Sequence, residues 1–567
     1  MRFVSDPAIA TKIARMKERV RWQHSLIEQY GIDQTRLEIL DKPATDEPDL
    51  DHSGLDDKTS DSASAQKSFS FLVIGDSGTS RHLRDRPQRH VNERLLAHSD
   101  ECDFVVHTGD VVYLTGSSEQ YPDNFIDPYR EFLVGGENPK KIRFDKMIFK
   151  KPFLPVLGNH DYYDLTVTAG LLSKALTPLR RLLRKRINLD IGWHGSFQGE
   201  AFTRAFVDYL QAVGSAQLSS HLQKRYSHKT ETGRCLGYIP GEFTRLPNRY
   251  YTFRRNGIDF FALDSNTFNA PQPIPKTAEG KAQREEIEAY QDELEAKMQS
   301  MLAESTSLDM DIPEEAERAT SLYAKIEQVE EQLWDIEKQL NASSSDSLDT
   351  EQLDWLRDRL IASWQDKSAK GRVLYFHHPP YVTEKTKWFQ AQTLSVRFHL
   401  RRVLNAVEAA VRPADAPADS RPLVDLVLSG HAHCFEYLKT EDTGHGDRHI
   451  PWIVCGGSGF SLRRQRQEGP VLEEYGRPVA KCHLFIGRSG HGSQKRRPYS
   501  ALRVDVNYDP AGEIPQFVLR PLIAEQYQGE WRHYDLDPIV LEEGADHSGL
   551  TLPAPLSEPL ADLAASS

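Results

Sequence analysis

The sequence predicts an α/β fold with a polar site at the ends of its strands. Several short apolar runs of strand type each end in a motif that is rich in carboxylate, amide or imidazole groups. In α/β sheets, ligands bind just outside the carboxyl ends of the strands, so these side chains are expected to meet there. The five motifs are Gly75-Asp76-Ser77-Gly78, Gly109-Asp110-Val111-Val112-Tyr113, Gly158-Asn159-His160-Asp161, His377-His378-Pro379-Pro380-Tyr381 and Gly430-His431-Ala432-His433.

The composition is typical of a soluble globular protein with polar segments. Of the 567 residues, 39% are hydrophobic and 27% are charged. The formal net charge of -13 disfavours broad, charge-driven binding of nucleic acid. The sequence has neither an apolar leader nor an apolar run long enough to span a membrane. We therefore expect a cytoplasmic protein without a membrane span.

The chain divides into a core with additions before, within and after it. The Asp6-Pro7 pair and the helical spacing that follows predict a helix as a peripheral brace. The polar stretch that comes next has too little apolar surface to fold, which predicts disorder. The predicted parts are an N-terminal helix (1–40), a disordered acidic linker (41–68), the core in two parts (69–275 and 346–530) and a C-terminal tail (531–567).

Residues 276–345 interrupt the core with a different pattern. Apolar residues recur by threes and fours, with Glu, Gln and Lys between them, on both sides of Asp311-Ile312-Pro313. Sustained heptad spacing of this kind predicts a coiled-coil-like helical hairpin. Its seam could pair internally, or it could contact another subunit or a partner. The seam residues are Ile287, Tyr290, Leu294, Met298, Met301, Ala319, Leu322, Ile326, Val329, Leu333, Ile336 and Leu340.

The residue types in the five motifs point to metal ions. Carboxylates, a phenolate, an amide oxygen and imidazoles suit Fe(III), Fe(II), Mn or Zn. On an extended segment, His431 and His433 point to one side, where they could serve two ions about 3.5–4 Å apart. Asp110, with two oxygens, is the natural bridge. A single histidine is more often a hydrogen-bonded core residue, but five such motifs in order favour a dinuclear metal site.

The order of these motifs resembles that of the calcineurin-like metallophosphoesterases, and most closely that of their purple acid phosphatase branch. The resemblance covers roughly 69–275 and 346–510. It implies a four-layer α/β/β/α sandwich of two mixed sheets with the motif loops along one edge. The inserted helical hairpin lies outside the resemblance.

The resemblance also implies how two metal ions are held. Most members of the superfamily have histidine where this chain has Gly78, and in the purple enzymes a tyrosine corresponding to Tyr113 takes its place. One ion, implied to be Fe(III), takes Asp76, Asp110, Tyr113 and His433. The other, a divalent Fe, Mn or Zn ion, takes Asp110, Asn159, His377 and His431. His378 is the alternative to His377 at that position.

The family gives the position of His160 a substrate-contact and general-acid role, here with Asp161 as the residue that orients it. A positioned acid of this kind is typically worth 10²–10⁴ in rate. The implied reaction is hydrolysis of a phosphate monoester by a metal-held hydroxide, on a phosphorylated small molecule or protein. The alternatives are a phosphodiesterase acting on cyclic nucleotides, nucleotides or nucleic acid, and a non-enzymatic assembly or signalling protein that acts through the insert.

The sequence departs from the family where substrate would bind. Plant-type purple enzymes carry further histidines shortly after the His-x-Pro motif, whereas this chain reads Val382-Thr383-Glu384-Lys385-Thr386-Lys387-Trp388. A different substrate pocket is therefore expected, with lysines available to the phosphate. The candidate substrate contacts are His378, Lys385 and Arg463.

Overall fold

The computed structural model describes residues 4–40, 67–78, 86–165, 195–309, 311–343, 347–412, 421–509, 513–542 and 550–553. The predicted acidic linker lies outside these ranges except for its last two residues. The helices are α1 (Ile9–Arg19), α2 (Ser25–Gln29), α3 (Pro87–Ser99), α4 (Asn159–Tyr162), α5 (Glu200–Phe206), α6 (Ser215–Arg225), α7 (Ala278–Thr306), α8 (Pro313–Asn341), α9 (Thr350–Gln365) and α10 (Ala391–Val411).

The strands lie between these helices and, in the last part of the chain, follow one another directly. They are β1 (Val4–Ser5), β2 (Ile32–Ile39), β3 (Phe69–Ile74), β4 (Phe104–His107), β5 (Phe153–Pro155), β6 (Asp164–Leu165), β7 (His228–Thr230), β8 (Gly233–Tyr238), β9 (Tyr251–Arg255), β10 (Ile258–Ala262), β11 (Gly371–Tyr375), β12 (Leu426–Ser429), β13 (Phe435–Thr440), β14 (Pro451–Cys455), β15 (Val471–Glu474), β16 (Arg477–Ile486), β17 (Arg496–Tyr508), β18 (Pro515–Tyr527), β19 (Glu530–Asp535) and β20 (Ile539–Leu541).

Two mixed sheets form the centre of the described structure. The smaller has the order β19-β18-β17-β3-β4-β5, with β20 also paired to β18. Its strands β3, β4 and β5 are parallel, whereas β17 runs antiparallel to β3. The larger has the order β15-β16-β13-β14-β12-β11-β10-β9-β2-β8-β7, and its strands β10, β11, β12 and β14 are parallel.

Aromatic side chains fill the space between the sheets. Phe71 and Phe104 of the smaller sheet lie with their ring centroids 5.4 and 5.3 Å from that of Phe260 in the larger sheet. Helix α3 packs on the outer side of the smaller sheet against β17 and β18, and α9 and α10 share an apolar cluster with the larger sheet. The predicted four-layer α/β/β/α sandwich is therefore confirmed.

The parallel strands carry the five motifs to one edge of the sandwich. In the smaller sheet, β3, β4 and β5 end just before Asp76, Asp110 and Asn159. In the larger sheet, β11 and β12 end just before His377 and His431. Since the strands that precede the motifs are parallel within each sheet, their carboxyl ends coincide, as the sequence predicts.

The inserted segment forms two long helices, α7 and α8. Their apolar residues bury one another in a separate cluster, so the predicted seam pairs within one chain. Tyr290 is the exception among the predicted seam residues, because it is 44% exposed. The buried members of the seam are Leu294, Met301, Leu322, Ile326, Val329, Leu333 and Ile336.

Both ends of the chain contribute more to the sheets than the sequence indicates. The N-terminal region contains β2, which pairs with β8 and β9 and buries Leu37 completely. Part of the predicted C-terminal tail forms β19 and β20. Both pair with the edge of β18 that faces away from β17. Helix α1 begins at Ile9, so Asp6 does not cap this helix. Its carboxylate forms an ion pair with Lys12 instead. The prediction of a peripheral helix and a loose tail was therefore too simple.

Within the described ranges, no helix combines the length and the apolar character needed to cross a membrane.

Candidate metal centre

The backbone at the site adopts conformations that are unusual for residues other than glycine. The φ angles of Asp76 and Asp110 are 51° and 55°, and those of His431 and His433 are 68° and 37°. Such left-handed conformations cost energy in a residue with a β-carbon and are found preferentially at functional sites. The turns at these strand ends thus direct four of the predicted ligands inward at a conformational cost.

Four of the predicted ligands converge on one point. The Tyr113 hydroxyl oxygen lies 2.9 Å from Oδ1 of Asp76, 2.9 Å from Oδ2 of Asp110 and 3.1 Å from Nε2 of His433. A phenol has one proton and can donate it to only one of these acceptors. The His433 Nδ1 atom is buried without a hydrogen-bond partner among the described residues. The three acceptors around a single phenol proton, on Asp76, Asp110 and His433, fit a cation bound among them.

A second group converges on the other side of Asp110. Nδ1 of His377 donates to the Thr108 carbonyl oxygen at 2.9 Å, which leaves Nε2 facing the site. That Nε2 atom lies 2.9 Å from Oδ1 of Asn159 and 3.3 Å from Oδ2 of Asp110. A backbone carbonyl that fixes one ring nitrogen is the usual support of a metal-binding histidine. The donor set therefore also fits a cation here, with Asp110 common to both groups.

The electrostatics of the centre reflect two carboxylates placed side by side away from water. Burial raises the pKa of Asp76 to about 8, although His377 acts in the opposite direction. Burial alone would lower the pKa of His377, but Asp110 and Asp76 outweigh it and raise this pKa to about 9. Both shifts show a demand for positive charge, which a bound metal ion would satisfy.

His431 lies in the centre but has different partners. Its ring centroid is 5.0 Å from that of His377 and 4.6 Å from that of His378. Its Nε2 atom accepts hydrogen bonds from Nζ of Lys387 and from Nε2 of Gln392, both at 3.0 Å. A lysine ammonium and a metal ion would compete for that lone pair.

His378, the alternative ligand, is held by neighbouring polar groups. Its Nδ1 lies 2.8 Å from the Ser265 hydroxyl, and its Nε2 accepts from Nδ2 of Asn269 at 3.3 Å. One ring nitrogen of each of His377, His378 and His431 nevertheless lies within 4.8 Å of the others. These hydrogen bonds favour His377 over His378 as the ligand.

His160 is positioned by backbone and aromatic contacts. Its Nδ1 donates to the Leu114 carbonyl oxygen at 2.6 Å, so Nε2 is the nitrogen available to a substrate. Its backbone N–H donates to Oδ1 of Asp110 at 2.8 Å, and its ring centroid is 4.3 Å from that of Tyr113. Burial lowers the pKa of His160, and Asp110 partly opposes this.

Asp161 has a different role from the predicted one. Its carboxylate accepts the backbone N–H groups of Asp110 at 3.0 Å, Val111 at 3.1 Å and Gly158 at 2.9 Å. It therefore joins the loops after β4 and β5, while Leu114 orients the His160 ring. The prediction that Asp161 orients His160 was wrong, because three backbone donors of the two loops surround this short side chain.

The predicted cationic contacts divide into one residue inside the site and one outside. The Lys385 side chain is exposed, and its backbone N–H donates a hydrogen bond to the Arg464 carbonyl at 3.0 Å. Arg463 is buried, and its backbone N–H donates to the His433 carbonyl at 3.0 Å. The lysine that the structure brings to the site is Lys387, two residues beyond Lys385.

Sequence reasoning missed several groups around the centre. Phe460, in the loop after β14, stacks on Tyr113 with a centroid distance of 3.9 Å and an interplanar angle of 11°. Glu331 of the insert pairs with Lys387 and Arg463. The Lys-x-Lys alternation indicates that one of Lys385 and Lys387 faces inward but not which one, and nothing in the heptads distinguishes Glu331 from its acidic neighbours.

Residues 69–201 match the family model of the calcineurin-like phosphoesterases. The matched segment contains the first three motifs, which supply Asp76, Asp110 and Asn159. The match agrees with the family that the order of the motifs resembles, and the two mixed sheets are those expected of the metallophosphoesterase fold.

Three solved structures are among those similar to this chain. A purple acid phosphatase from yellow lupin (Lupinus luteus) seeds shares 11% identity over 84% of this chain and 54% of its own, with a TM-score of 0.39. GAP50, the anchor in the inner membrane complex of Plasmodium, shares 12% over 84% and 90%, with a TM-score of 0.34. A dimetal phosphatase from Danio rerio shares 11% over 83% and 98%, with a TM-score of 0.30.

The chain thus spans about half the length of the lupin enzyme. No curated protein sequence matches it significantly.

Proposed function

We propose that this protein hydrolyses phosphate monoesters, of a small molecule or a protein, at a dinuclear metal centre. The observation that carries the proposal is the position of Asp110 between two convergent groups of donor atoms. Oδ2 of Asp110 lies 2.9 Å from the Tyr113 hydroxyl on one side and 3.3 Å from Nε2 of His377 on the other. A carboxylate shared in this way is what a pair of ions about 3.5–4 Å apart requires.

The proposed ligands divide between the two ions as the family resemblance implies. Asp76, Asp110, Tyr113 and His433 would hold Fe(III), and Asp110, Asn159, His377 and His431 would hold a divalent Fe, Mn or Zn ion. When bound, two such ions would clamp the phosphate and acidify a water molecule. A phenolate oxygen and two carboxylates are hard anionic donors, which is why the first site suits Fe(III).

His160 is the proposed general acid. Its Nδ1 proton is committed to the Leu114 carbonyl, so acting as the acid requires the imidazolium form, whose second proton, on Nε2, passes to the leaving oxygen. The negative charge of a bound phosphate favours that form against the effect of burial. The His160 ring packs beside that of Tyr113, one of the proposed ligands. Its ring Nδ1 bonds the Leu114 carbonyl and not one of the ligand carboxylates. This arrangement supports protonation of the leaving alkoxide as the ester bond breaks.

Gly78 and Tyr113 support assignment to the purple branch. A β-carbon at position 78 would come within 2.7 Å of Cδ2 of Tyr113. The tyrosine ring therefore occupies the space that a histidine at position 78 would need. The proposal includes Tyr113 as an iron ligand for this reason.

One experiment tests the reaction class. The purified protein is analysed for metal content and then assayed with p-nitrophenyl phosphate and bis-p-nitrophenyl phosphate. The proposal expects two metal ions per chain, iron among them, and turnover of the monoester in preference to the diester. Preferred turnover of the diester would favour a phosphodiesterase. A metal-loaded protein without turnover of either ester would exclude the proposed reaction and favour a role through the helical insert.

A further inference from the structure

We infer that Lys387 and Arg463 form a binding subsite for the phosphate group of the substrate, and that Glu331 of the insert occupies this subsite as an internal anion. The inference rests on the proposed function, which it extends to substrate binding and its control. Glu331 lies on α8, far from the motifs in sequence, yet it reaches the centre in space.

The Glu331 carboxylate bridges two cationic side chains. Its Oε2 lies 3.2 Å from Nζ of Lys387, and its Oε1 lies 3.0 Å from Nη2 of Arg463. The Lys387 and Arg463 side chains are 1% and 3% exposed, and that of Glu331 is 12% exposed. Two cations removed from water in this way need an anion between them, since an unpaired buried charge is strongly unfavourable.

The same two cations adjoin the proposed metal ligands. Nζ of Lys387 lies 3.0 Å from Nε2 of His431, and the backbone N–H of Arg463 donates to the His433 carbonyl. An anion held between them therefore lies close to His431, the proposed ligand that the Lys387 side chain contacts. A phosphate group carries more negative charge than a carboxylate and offers several oxygens to an arginine and a lysine. Glu331 holds the place that such a group would take.

Other contacts fix α8 over the site and explain why Glu331 can reach it. The Asp335 carboxylate accepts the backbone N–H groups of Ala391 at 2.9 Å and Gln392 at 3.2 Å, at the start of α10. The ring of Trp334 lies 5.2 Å from that of Tyr163, three residues beyond His160. One helical face of the insert thus contacts the loops after β5 and β11, and the substrate can use the subsite only when the Glu331 carboxylate leaves it.

A purely structural role for Glu331 is the rival explanation. In that case the carboxylate holds Lys387 and Arg463 in position for another purpose. The two explanations predict different changes in phosphate affinity when the Glu331 carboxylate is removed. A competing anion weakens phosphate binding, so its removal strengthens it. A brace supports the cations, so its removal weakens phosphate binding or leaves it unchanged.

The test measures binding of inorganic phosphate to the full-length, metal-loaded protein by calorimetry, without any turnover. We expect Glu331→Gln, which keeps the shape of the side chain but removes its charge, to lower the Kd for phosphate about tenfold. Adding Lys387→Gln to that variant should abolish the gain. Glu304→Gln is the matched control, because it removes the ion pair of Glu304 with Arg318 elsewhere on the insert and should leave the Kd unchanged.

An unchanged or higher Kd in Glu331→Gln would overturn the inference. If that variant does not fold, Glu331→Asp shortens the side chain while keeping its charge, and a lower Kd is again expected because the bridge is broken. These outcomes are separate from those of the proposed function. Tighter phosphate binding without ester turnover would support the subsite and exclude the phosphatase, whereas turnover with an unchanged Kd would do the reverse.

Discussion

The ring of Tyr113 lies directly against Gly78, with space between them for a hydrogen atom but not for a methyl group. A β-carbon at position 78 would also approach the backbone nitrogen of Tyr113 to 3.0 Å. The residue types at two positions that are 35 residues apart are thus coupled. A tyrosine at position 113 leaves no space for a side chain at position 78.

The first prediction tests this steric coupling. Gly78→Ala should lower the free energy of unfolding by about 1–3 kcal/mol through overpacking. In a Tyr113→Ala background the same substitution should cost much less, since the ring that it meets is gone. Thermal melting of the two single variants and the double variant measures the coupling. Equal losses in both backgrounds would mean that the contact carries no strain.

The second prediction concerns the role of Tyr113 as an iron ligand. An iron-loaded sample should show a visible charge-transfer band from phenolate to iron, and Tyr113→Phe should abolish the band and weaken iron retention. Phe460→Leu is the control, because it removes the ring that stacks on Tyr113 but leaves the phenol oxygen in place. A colourless wild-type protein with full iron occupancy would contradict the assignment.

The third prediction separates His160 from Asp161. His160→Ala should lower kcat by about 10²–10⁴, with a smaller loss for esters with good leaving groups, because those need little protonation. Its metal content should stay nearly intact. Metal analysis and kinetics with a series of leaving groups check both statements. Loss of metal in His160→Ala would place that side chain among the ligands.

Asp161→Asn provides the contrast. The carboxylate accepts three backbone N–H groups from the two loops that carry Asp110 and Asn159. An amide cannot accept all of these bonds in the same way, so the variant should lose both thermal stability and metal content. A variant that keeps its metal and loses only kcat would restore a catalytic role for Asp161.

The fourth prediction concerns the insert. Replacement of residues 276–345 by a short Gly/Ser link should leave a folded core that still hydrolyses small esters, because the seam of α7 and α8 is closed within the hairpin. Larger esters should become better substrates, since α8 no longer covers the loops after β5 and β11. Activity assays with esters of increasing size, together with the solution mass, check this expectation.

Asp335→Asn is the matched control for that replacement. This substitution weakens the side-chain acceptor for the backbone N–H groups at the start of α10. Such a cap typically contributes about 1 kcal/mol to stability. Helix α8 stays in place over the site. The control should lose stability without a change in substrate range. Complete unfolding of the shortened protein would show that the insert belongs to the core.

The fifth prediction concerns pH and a buried carboxyl group outside the metal centre. Burial raises the pKa of Glu436, which accepts from the backbone N–H and the hydroxyl of Thr383, to about 7. Because this folded-state pKa exceeds the unfolded value of about 4.3, the folded state holds the proton more tightly. The stability that protonated Glu436 contributes is therefore fully present below its unfolded-state pKa. This contribution is lost as the pH rises toward its folded-state pKa.

Glu436→Gln removes this dependence. The melting temperature of the wild type relative to the variant should therefore fall between about pH 4 and about pH 7. Parallel melting curves of wild type and Glu436→Gln across this range would contradict the shifted pKa.

Much of the fold could be predicted because apolar strands and heptads leave periodic patterns. Asp76, Asp110 and His377 were predictable because each follows an apolar strand, and the strand fixes where the next residue lies. The seam of the insert was predictable because its apolar residues repeat at helical spacing. These features depend on local order along the chain.

The remainder depends on contacts between distant segments. β2 was missed because its sequence is mostly polar and becomes a strand by pairing with β8. Lys387 could not be distinguished from Lys385 without knowing which side of the loop faces inward. The partners of Asp161 and the reach of Glu331 follow from how loops and helices meet, which no pattern in a single segment records.

Asp6 lies between two lysines, 2.7 Å from Nζ of Lys12 and 2.6 Å from Nζ of Lys338. The second lysine belongs to α8, seven residues and about 10 Å of helix beyond Glu331. The described segment before α1 is therefore joined by an ion pair to the helix that carries Glu331. Asp6→Asn would therefore weaken the anchorage of the helix that carries Glu331, although Asp6 is not among the proposed metal ligands.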